Sequence, residues 1–289
     1  MTGEAAVAAE GLVKTRRGRR VLDGCTFEIP AGAVCGVLGR NGAGKTTLLR
    51  VLAGLTAPTE GRVLVRGESP LARTPGPAHL GQDKPLPGGL TAEEVLRTGR
   101  ALNPDWDEAT ARRVLAAGDL PEGVRVGRMS GGQRSLVALA LTLGRRTGVA
   151  LLDEPFADLD PLVRHRVSGL LMAEVADGDL TVLVSTHVFA DLAGLCDHLL
   201  LLARGRVALA GAVADIEADH LRMVGVADDD PGHLDGHTVV SDSRTGRQVS
   251  ALVKTDGPAP PQGWSAQPAS LEEITLAYLA GAGNKGERR

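Results

Sequence analysis

Residues 39–47 read Gly39-Arg40-Asn41-Gly42-Ala43-Gly44-Lys45-Thr46-Thr47, a complete G-x-x-x-x-G-K-T loop. Before it, Ala33-Val34-Cys35-Gly36-Val37-Leu38 is apolar enough for a buried strand. After it, Leu48, Val51, Leu52 and Leu55 fall on one side of a helix that stops near Gly54. Glycines at 39, 42 and 44 let the backbone wrap closely round an anion, so that successive N–H groups and the helix N-terminus point at phosphate oxygens. Lys45 is placed to reach the terminal phosphates of a nucleoside triphosphate, and Thr46 to offer its hydroxyl to Mg²⁺. The strand–loop–helix context separates this stretch from a Gly-rich turn that carries a lysine by chance.

Outward from the loop, strand and helix signals alternate. Val21 to Ile29 reads as strand with a turn pair at Asp23-Gly24, and Pro30-Ala31-Gly32 turns into the strand that feeds the loop. Pro58 to Gly61 forms a turn, Arg62-Val63-Leu64-Val65 a short strand, and residues 68–78 a Pro/Gly-rich loop. Residues 91–120 read as mostly helical. Thr91 and Glu94 have capping-box spacing, and a second helix is expected from about Asp107 to Ala117. Ser130 opens another helix through Leu143. Val149 to Leu152 and Leu180 to Val184 are continuous apolar runs, which suit central parallel strands with helices on both faces, an α/β fold. The first ends in Asp153-Glu154 and the second in Ser185-Thr186-His187. Ligands on such sheets gather beyond the carboxyl ends of the strands, where all three polar clusters fall.

Composition bounds the rest. The chain has 289 residues with 2% aromatics, so its core must rest on Leu, Val and Ala. A net charge of −3 argues against a dedicated nucleic-acid binder. No run reaches the ~18 apolar residues of a bilayer span, and Met1 to Glu10 does not read as a signal peptide. Cys25, Cys35 and Cys196 are too scattered for a structural zinc site, and the chain reads as cytosolic. From Ala214 the character changes: an acidic, breaker-rich stretch at 227–236 precedes a hairpin, with Thr238 to Val240 and Val249 to Val253 flanking Arg244-Thr245-Gly246-Arg247. A linker at 258–263 then leads to a helix opened by Ser270 and Glu273, with Ile274, Ala277, Tyr278 and Leu279 on one face. Residues 281–289 read as a polar tail.

The strand-end groups carry the chemistry. Asp153 is the candidate to bind Mg²⁺ directly or through water, beside Thr46. Glu154 is the candidate to orient and polarise the attacking water, and His187 could contact the γ-phosphate or that water. Ser130-Gly131-Gly132-Gln133 reads either as a plain helix cap or as a second anion cradle.

With these motifs in order, the chain from about Gly11 to Gly211 resembles the nucleotide-binding subunit of ATP-binding cassette (ABC) transporters. Met129-Ser130-Gly131-Gly132-Gln133 matches that family's signature, with methionine in place of the usual leucine. Gln82, in Leu80-Gly81-Gln82-Asp83, looks like the family's Mg²⁺- and water-sensing glutamine; Ala157-Asp158-Leu159-Asp160 looks like its dimer-interface loop. His187 matches its switch histidine.

The resemblance implies a P-loop NTPase of ABC type, a mixed-sheet core with a helical subdomain at about 83–145 and a small C-terminal accessory region. The ATPase domain would span 1–213 and the accessory region and tail 214–289. It implies a Mg-dependent ATPase with ATP and Mg²⁺ bound, Gln82 joining Thr46 and Asp153 at the metal. It further implies a head-to-tail homodimer, or a heterodimer with a similar ATPase subunit. Each ATP would lie between residues 39–47 of one subunit and Ser130, Gly131, Gly132 and Gln133 of the other, with Asp160 at the interface. A membrane-embedded permease would be the partner, holding the subunit at the cytoplasmic face of the membrane.

Two departures stand out. Arg16 replaces the aromatic that usually stacks on adenine, so its guanidinium either stacks on the base or is solvated surface, and Ala157 replaces a common serine. Asn103 to Asp107 and Leu271 to Leu279 resemble segments of small bacterial exporter-type members, including antibiotic-efflux-like ones, which favours export over import. Trp106 reads as a permease contact or as packing within the subdomain. The alternative function is a soluble cassette ATPase acting on nucleic acid or ribosomes, against which stand the single cassette and the absence of sustained heptads.

Overall fold

β1 (Ala5–Arg16) and β2 (Arg19–Pro30) pair antiparallel across Arg17-Gly18, whose φ angles of 48° and 75° suit a two-residue hairpin turn. β3 (Val34–Leu38) is buried at every position and feeds the 39–44 loop, after which α1 (Lys45–Leu52) begins. β4 (Glu60–Val65) returns to β1 and completes a three-stranded antiparallel sheet of order β2-β1-β4. The computed structural model describes residues 5–72, 76–177, 180–226, 234, 236–255, 257 and 259–284.

The chain then builds β5 (Ala78–Leu80), α2 (Ala92–Leu102), α3 (Glu108–Leu115), α4 (Gly131–Leu143) and β6 (Val149–Asp153). α5 (Pro161–Ala176), β7 (Thr181–Thr186), β8 (His198–Ala203) and β9 (Arg206–Ala212) follow. The second sheet has order β5-β6-β7-β3-β8-β9, parallel throughout except for the antiparallel β8–β9 pair. Its central strands are apolar on both faces because both are covered. Cys35, Val37, Leu151 and Leu183 pack with α1 and the three-stranded sheet, while Val34, Leu152, Val182 and Val184 pack with residues of α4 and α5. The parallel direction puts the loops after β3, β5, β6 and β7 at one edge of the sheet.

Side-chain caps fix where the helices start. Thr91 and Glu94 close a full capping box at α2, Ser130 and Gln133 close another at α4, and Asp107 and Asp160 cap α3 and α5. Trp106 packs within this helical layer: its indole donates to Glu108 at 2.8 Å, and its ring lies where a Cβ on Gly99 or Gly144 would stand.

The chain ends with α6 (Val213–Ala218), β10 (His220–Val226), β11 (Val239–Thr245), β12 (Gln248–Lys254), β13 (Ser265–Pro268) and α7 (Leu271–Asn284). These strands form an antiparallel sheet of order β11-β12-β10-β13. Its Leu252, with Ile216, Leu271 and Ile274 of the two helices, joins the same apolar cluster as Leu199 and Leu201 of β8. A smaller cluster of Met223, Ala251 and Val253 lies apart from it, with Trp264 packed alongside.

Three local expectations are corrected. Asp23-Gly24 is not a turn but lies inside β2, where the register shifts between the Leu12–Cys25 and Lys14–Leu22 pairs and Gly24 takes φ 68°. Asp23 is held there by its N–H to the Gly205 carbonyl and by ion pairs with Arg20 and Arg206. The loop read for 68–78 gives way to strand at Ala78, and helix α7 carries through residues 281–284 of the expected tail; 285–289 lie outside the described residues. Of the acidic stretch at 227–236 and the linker at 258–263, residues 227–233, 235 and 258 likewise lie outside them.

Candidate functional site

The loop after β3 turns through Gly42 and Gly44, at φ 80° and 109°, and Gly44 backs onto Leu22 and the Val21 carbonyl. At Gly44 a Cβ would stand 2.8 Å from Leu22 Cδ2, so both the conformation and the space require glycine. Lys45 folds back over this loop and donates to the Gly39 carbonyl at 2.7 Å. Its ammonium is 3.9 Å from Glu154 Oε1. Burial pulls the Lys45 pKa below its ordinary value, and the charges of Glu154 and Asp153 oppose that shift.

Glu154 is buried and sits at φ 51°, a left-handed conformation that costs about 1–3 kcal/mol for such a residue. Ser185 holds it there. The Glu154 N–H meets both the carbonyl and the hydroxyl oxygen of Ser185 at 3.1 Å, while that hydroxyl donates to Asp153 Oδ1 at 2.5 Å. His187 Nδ1 lies 3.0 and 3.1 Å from the two Glu154 carboxyl oxygens. An ionised carboxylate only accepts, so Nδ1 carries the hydrogen in that contact. Thr186 is tied down by donating to Asp191 at 2.9 Å, and Asp191 in turn accepts from Arg164 of α5.

Residues 41–47, Gln82, Glu154, His187 and Val21 line a cleft of ≈ 340 Å³. A second cavity of ≈ 330 Å³ reaches Thr46, Gln82, Asp153, Arg50 and His79, so Thr46 and Gln82 border both. Asp153 Oδ2 is buried and accepts no hydrogen bond from any described residue. A buried carboxylate oxygen left open beside Thr46 and Gln82 fits a Mg²⁺ ion or one of its waters. His79 Nε2 is similarly buried without a described partner, and burial pushes its pKa down against the pull of Asp153.

The other expected residues stand elsewhere on the subunit. Ser130 Oγ accepts from the Gln133 N–H at 3.2 Å, and Gln133 Oε1 accepts from the Ser130 N–H at 3.0 Å. Asp160 accepts from the N–H groups of Leu162 and Val163, and Arg16 is exposed opposite Arg19 at the β1–β2 hairpin. The lining of the Lys45 cleft includes none of Ser130, Gly131, Gly132, Gln133, Asp160 or Arg16. Sequence reading missed Ser185, His79 and Asp191. A hydroxyl directly after an apolar strand was the available signal for Ser185, whereas His79 and Asp191 stand out only through their burial beside Asp153 and Thr186 in the folded chain.

A sheet whose phosphate loop, strand-end carboxylates and histidine meet at one cleft defines a nucleotide-hydrolysing P-loop protein. The family described as "ABC transporter" matches residues 22–157. The chain is 40% identical over 193 residues to the aliphatic sulfonates import ATP-binding protein SsuB of Escherichia coli K12, covering 65% of this chain and 74% of that one. It is 33% identical over 257 residues to SsuB 1 of Rhizobium johnstonii, covering 88% of each. A solved structure described as an ATP-binding subunit of an ABC transporter superposes with TM-score 0.65 at 28% identity, over 74% of this chain and 92% of that one. The chain belongs to the ABC transporter family. It is an ATP-binding and ATP-hydrolysing subunit that couples to a membrane permease. Membership implies ATP and Mg²⁺ binding through a loop of this type, and ATPase subunits of this family generally dimerise. Among the described residues no helix is long and apolar enough to cross a membrane.

Proposed function

We propose that the cleft between the 39–47 loop and the β6–β7 strand ends is the hydrolytic site. The convergence of Lys45, Glu154 and His187 there supports this best. Backbone N–H groups of residues 41–47 and the Lys45 ammonium hold the phosphates of ATP, with Arg40 at the loop's exposed edge. Mg²⁺, held by Thr46, Gln82 and Asp153, supplies charge screening for the phosphate oxygens. Glu154 orients water and accepts its proton, a role suited to a carboxylate kept in place by Ser185 and reached by His187. His187 offers its second ring nitrogen toward the phosphate side once the Nδ1–Glu154 contact fixes the ring.

Ser130, Gly131, Gly132, Gln133 and Asp160 serve the partner's nucleotide in a head-to-tail dimer, which accounts for their position outside this subunit's own cleft. Arg16 stacks on the base from the hairpin edge near Val21. Residues 1–213 form the ATPase domain, with a helical subdomain at about 83–145 that passes motion to the permease; residues 214–289 form the accessory region and tail. The subunit works at the cytoplasmic face of the membrane, bound to that permease.

The direction of transport has two supports that point opposite ways. Residues 103–107 and 271–279 favour export, of the antibiotic-efflux-like kind; the SsuB relatives are named for import of aliphatic sulfonates. The test is capture of tagged Glu154→Gln protein with ATP from gently solubilised host membranes, followed by reconstitution of the recovered multi-span protein with the wild-type subunit. ATP-driven accumulation inside inside-out vesicles establishes export, and ATP-driven depletion of preloaded ones establishes import. Recovery of ribosomal or nucleic-acid partners with no membrane protein contradicts the transporter reading.

A further inference from the structure

Two residues beyond Gln82 stands a lysine in an unusual position. Lys84 is buried and takes φ 43°, a region that lysine seldom adopts. Its N–H closes a turn onto the Gly81 carbonyl at 3.0 Å, with Gln82 inside that turn. The ammonium donates to Ser135 Oγ at 2.8 Å and to Asp158 Oδ2 at 2.5 Å. Ser135 is a fully buried residue of α4, and its hydroxyl lies 2.9 Å from the Gly131 carbonyl and 3.2 Å from Asp158 Oδ2. A Cβ on Gly132 would stand 2.9 Å from the Asp158 carbonyl oxygen, so the start of α4 and the 157–160 loop already touch. Three segments therefore meet at one ammonium: the Gln82 turn, the first turns of α4, and the loop that ends in Asp160.

We infer that Lys84 is a positioning residue that couples the two ATP sites of the dimer. The inference rests on the head-to-tail arrangement proposed above. There, Gln82 serves the subunit's own ATP, while Ser130 and Asp160 face the partner's. A displacement of the Gln82 turn at one site is carried through the Lys84 ammonium to both segments that complete the other. The residue type suits the task, since an ammonium donates in three directions and can hold Ser135 and Asp158 together. The charge contrast suits it too. The Lys84 side chain is 7% exposed and that of Asp158 49%, so the carboxylate can be hydrated when the link is cut. Lys84 also holds the Asp158 carboxyl below its ordinary pKa, as a close cation should.

The test uses the full-length chain as wild type, Lys84→Met, Lys84→Arg and Asp158→Asn. Steady-state hydrolysis is measured against ATP concentration, ATP binding is measured on dilute monomer, and light scattering reads ATP-driven dimer formation. Two coupled sites predict a wild-type Hill coefficient approaching ~2, falling to ~1 in Lys84→Met and Asp158→Asn while monomer affinity stays within about twofold. Lys84→Arg, which keeps the charge and the donors, should recover part of the cooperativity. A purely structural lysine would lower the thermal midpoint and leave the Hill coefficient alone; that result overturns the inference. If Lys84→Met does not fold, Asp158→Asn decides the matter from the half-exposed side. A wild-type dimer that forms with ATP yet shows a Hill coefficient of ~1 refutes the coupling. No ATP-driven dimer at all removes the head-to-tail reading, and the inference falls with it.

Discussion

At the scale of single residues, the proposed hydrolytic site depends on one serine as much as on the acid it supports. Glu154 stands at φ 51° with its N–H on Ser185, and the Ser185 hydroxyl reaches Asp153 as well. Glu154→Gln keeps the shape and the backbone contact but removes the proton acceptor that the proposed role requires. It should leave ATP affinity nearly unchanged and lower kcat by about 10²–10⁴, the usual contribution of a general base; steady-state hydrolysis beside equilibrium ATP binding checks both. Ser185→Ala leaves the buried Asp153 Oδ1 without its donor, so it should lower stability by about 1–3 kcal/mol and reduce kcat. Denaturant titration and turnover of the same preparation read the two effects. Lys45, Thr46, Asp153 and Glu154 were legible in sequence because they sit next to strand and loop signals that read locally. Ser185 and Lys84 were not: Ser185 reaches Asp153, 32 residues away, and Lys84 reaches Ser135 and Asp158, 51 and 74 residues away, contacts that only the tertiary fold creates.

At the scale of elements, α2 and α4 were legible because a capping box announced them, whereas α5, capped by Asp160, was not read. Ser130 and Thr91 each precede their capping partner by three residues, and both boxes form. Ser130→Ala should destabilise α4 by about 1 kcal/mol and leave binding of ATP to monomer intact, because Ser130 lies outside the subunit's own cleft. A shift of the thermal midpoint with unchanged monomer affinity is the expected pair of readings. Short or bulged strands were less legible. β5 spans only Ala78–Leu80, too few residues to show alternation, and it forms because the edge of β6 is available to pair with it. Asp23-Gly24 has the composition of a turn, yet pairing with β1 and the contacts to Gly205 and Arg206 hold it in a strand.

At the scale of the whole molecule, the C-terminal region is joined to the central sheet by packing rather than hung on a linker. Ile216, Leu252, Leu271 and Ile274 share an apolar cluster with Leu199 and Leu201, and each such side chain is worth about 1.5–3 kcal/mol when fully buried. Ending the chain after residue 213 should therefore lower the thermal midpoint and expose apolar surface, read as dye binding and loss of a single cooperative transition; an unchanged midpoint would mean that this cluster contributes little. The composition shift near Ala214 was visible in sequence, but a shared core was not, since Leu252 and Leu199 are brought together only by the tertiary fold. In the proposed dimer this subunit binds ATP in a cleft whose remaining contacts come from a second subunit. Light scattering of purified Glu154→Gln protein with Mg²⁺ and ATP reports whether that second subunit is recruited. The predicted result is twice the monomer mass with ATP, reverting to monomer with ADP; monomer mass at saturating ATP, with binding confirmed in the same sample, would contradict it.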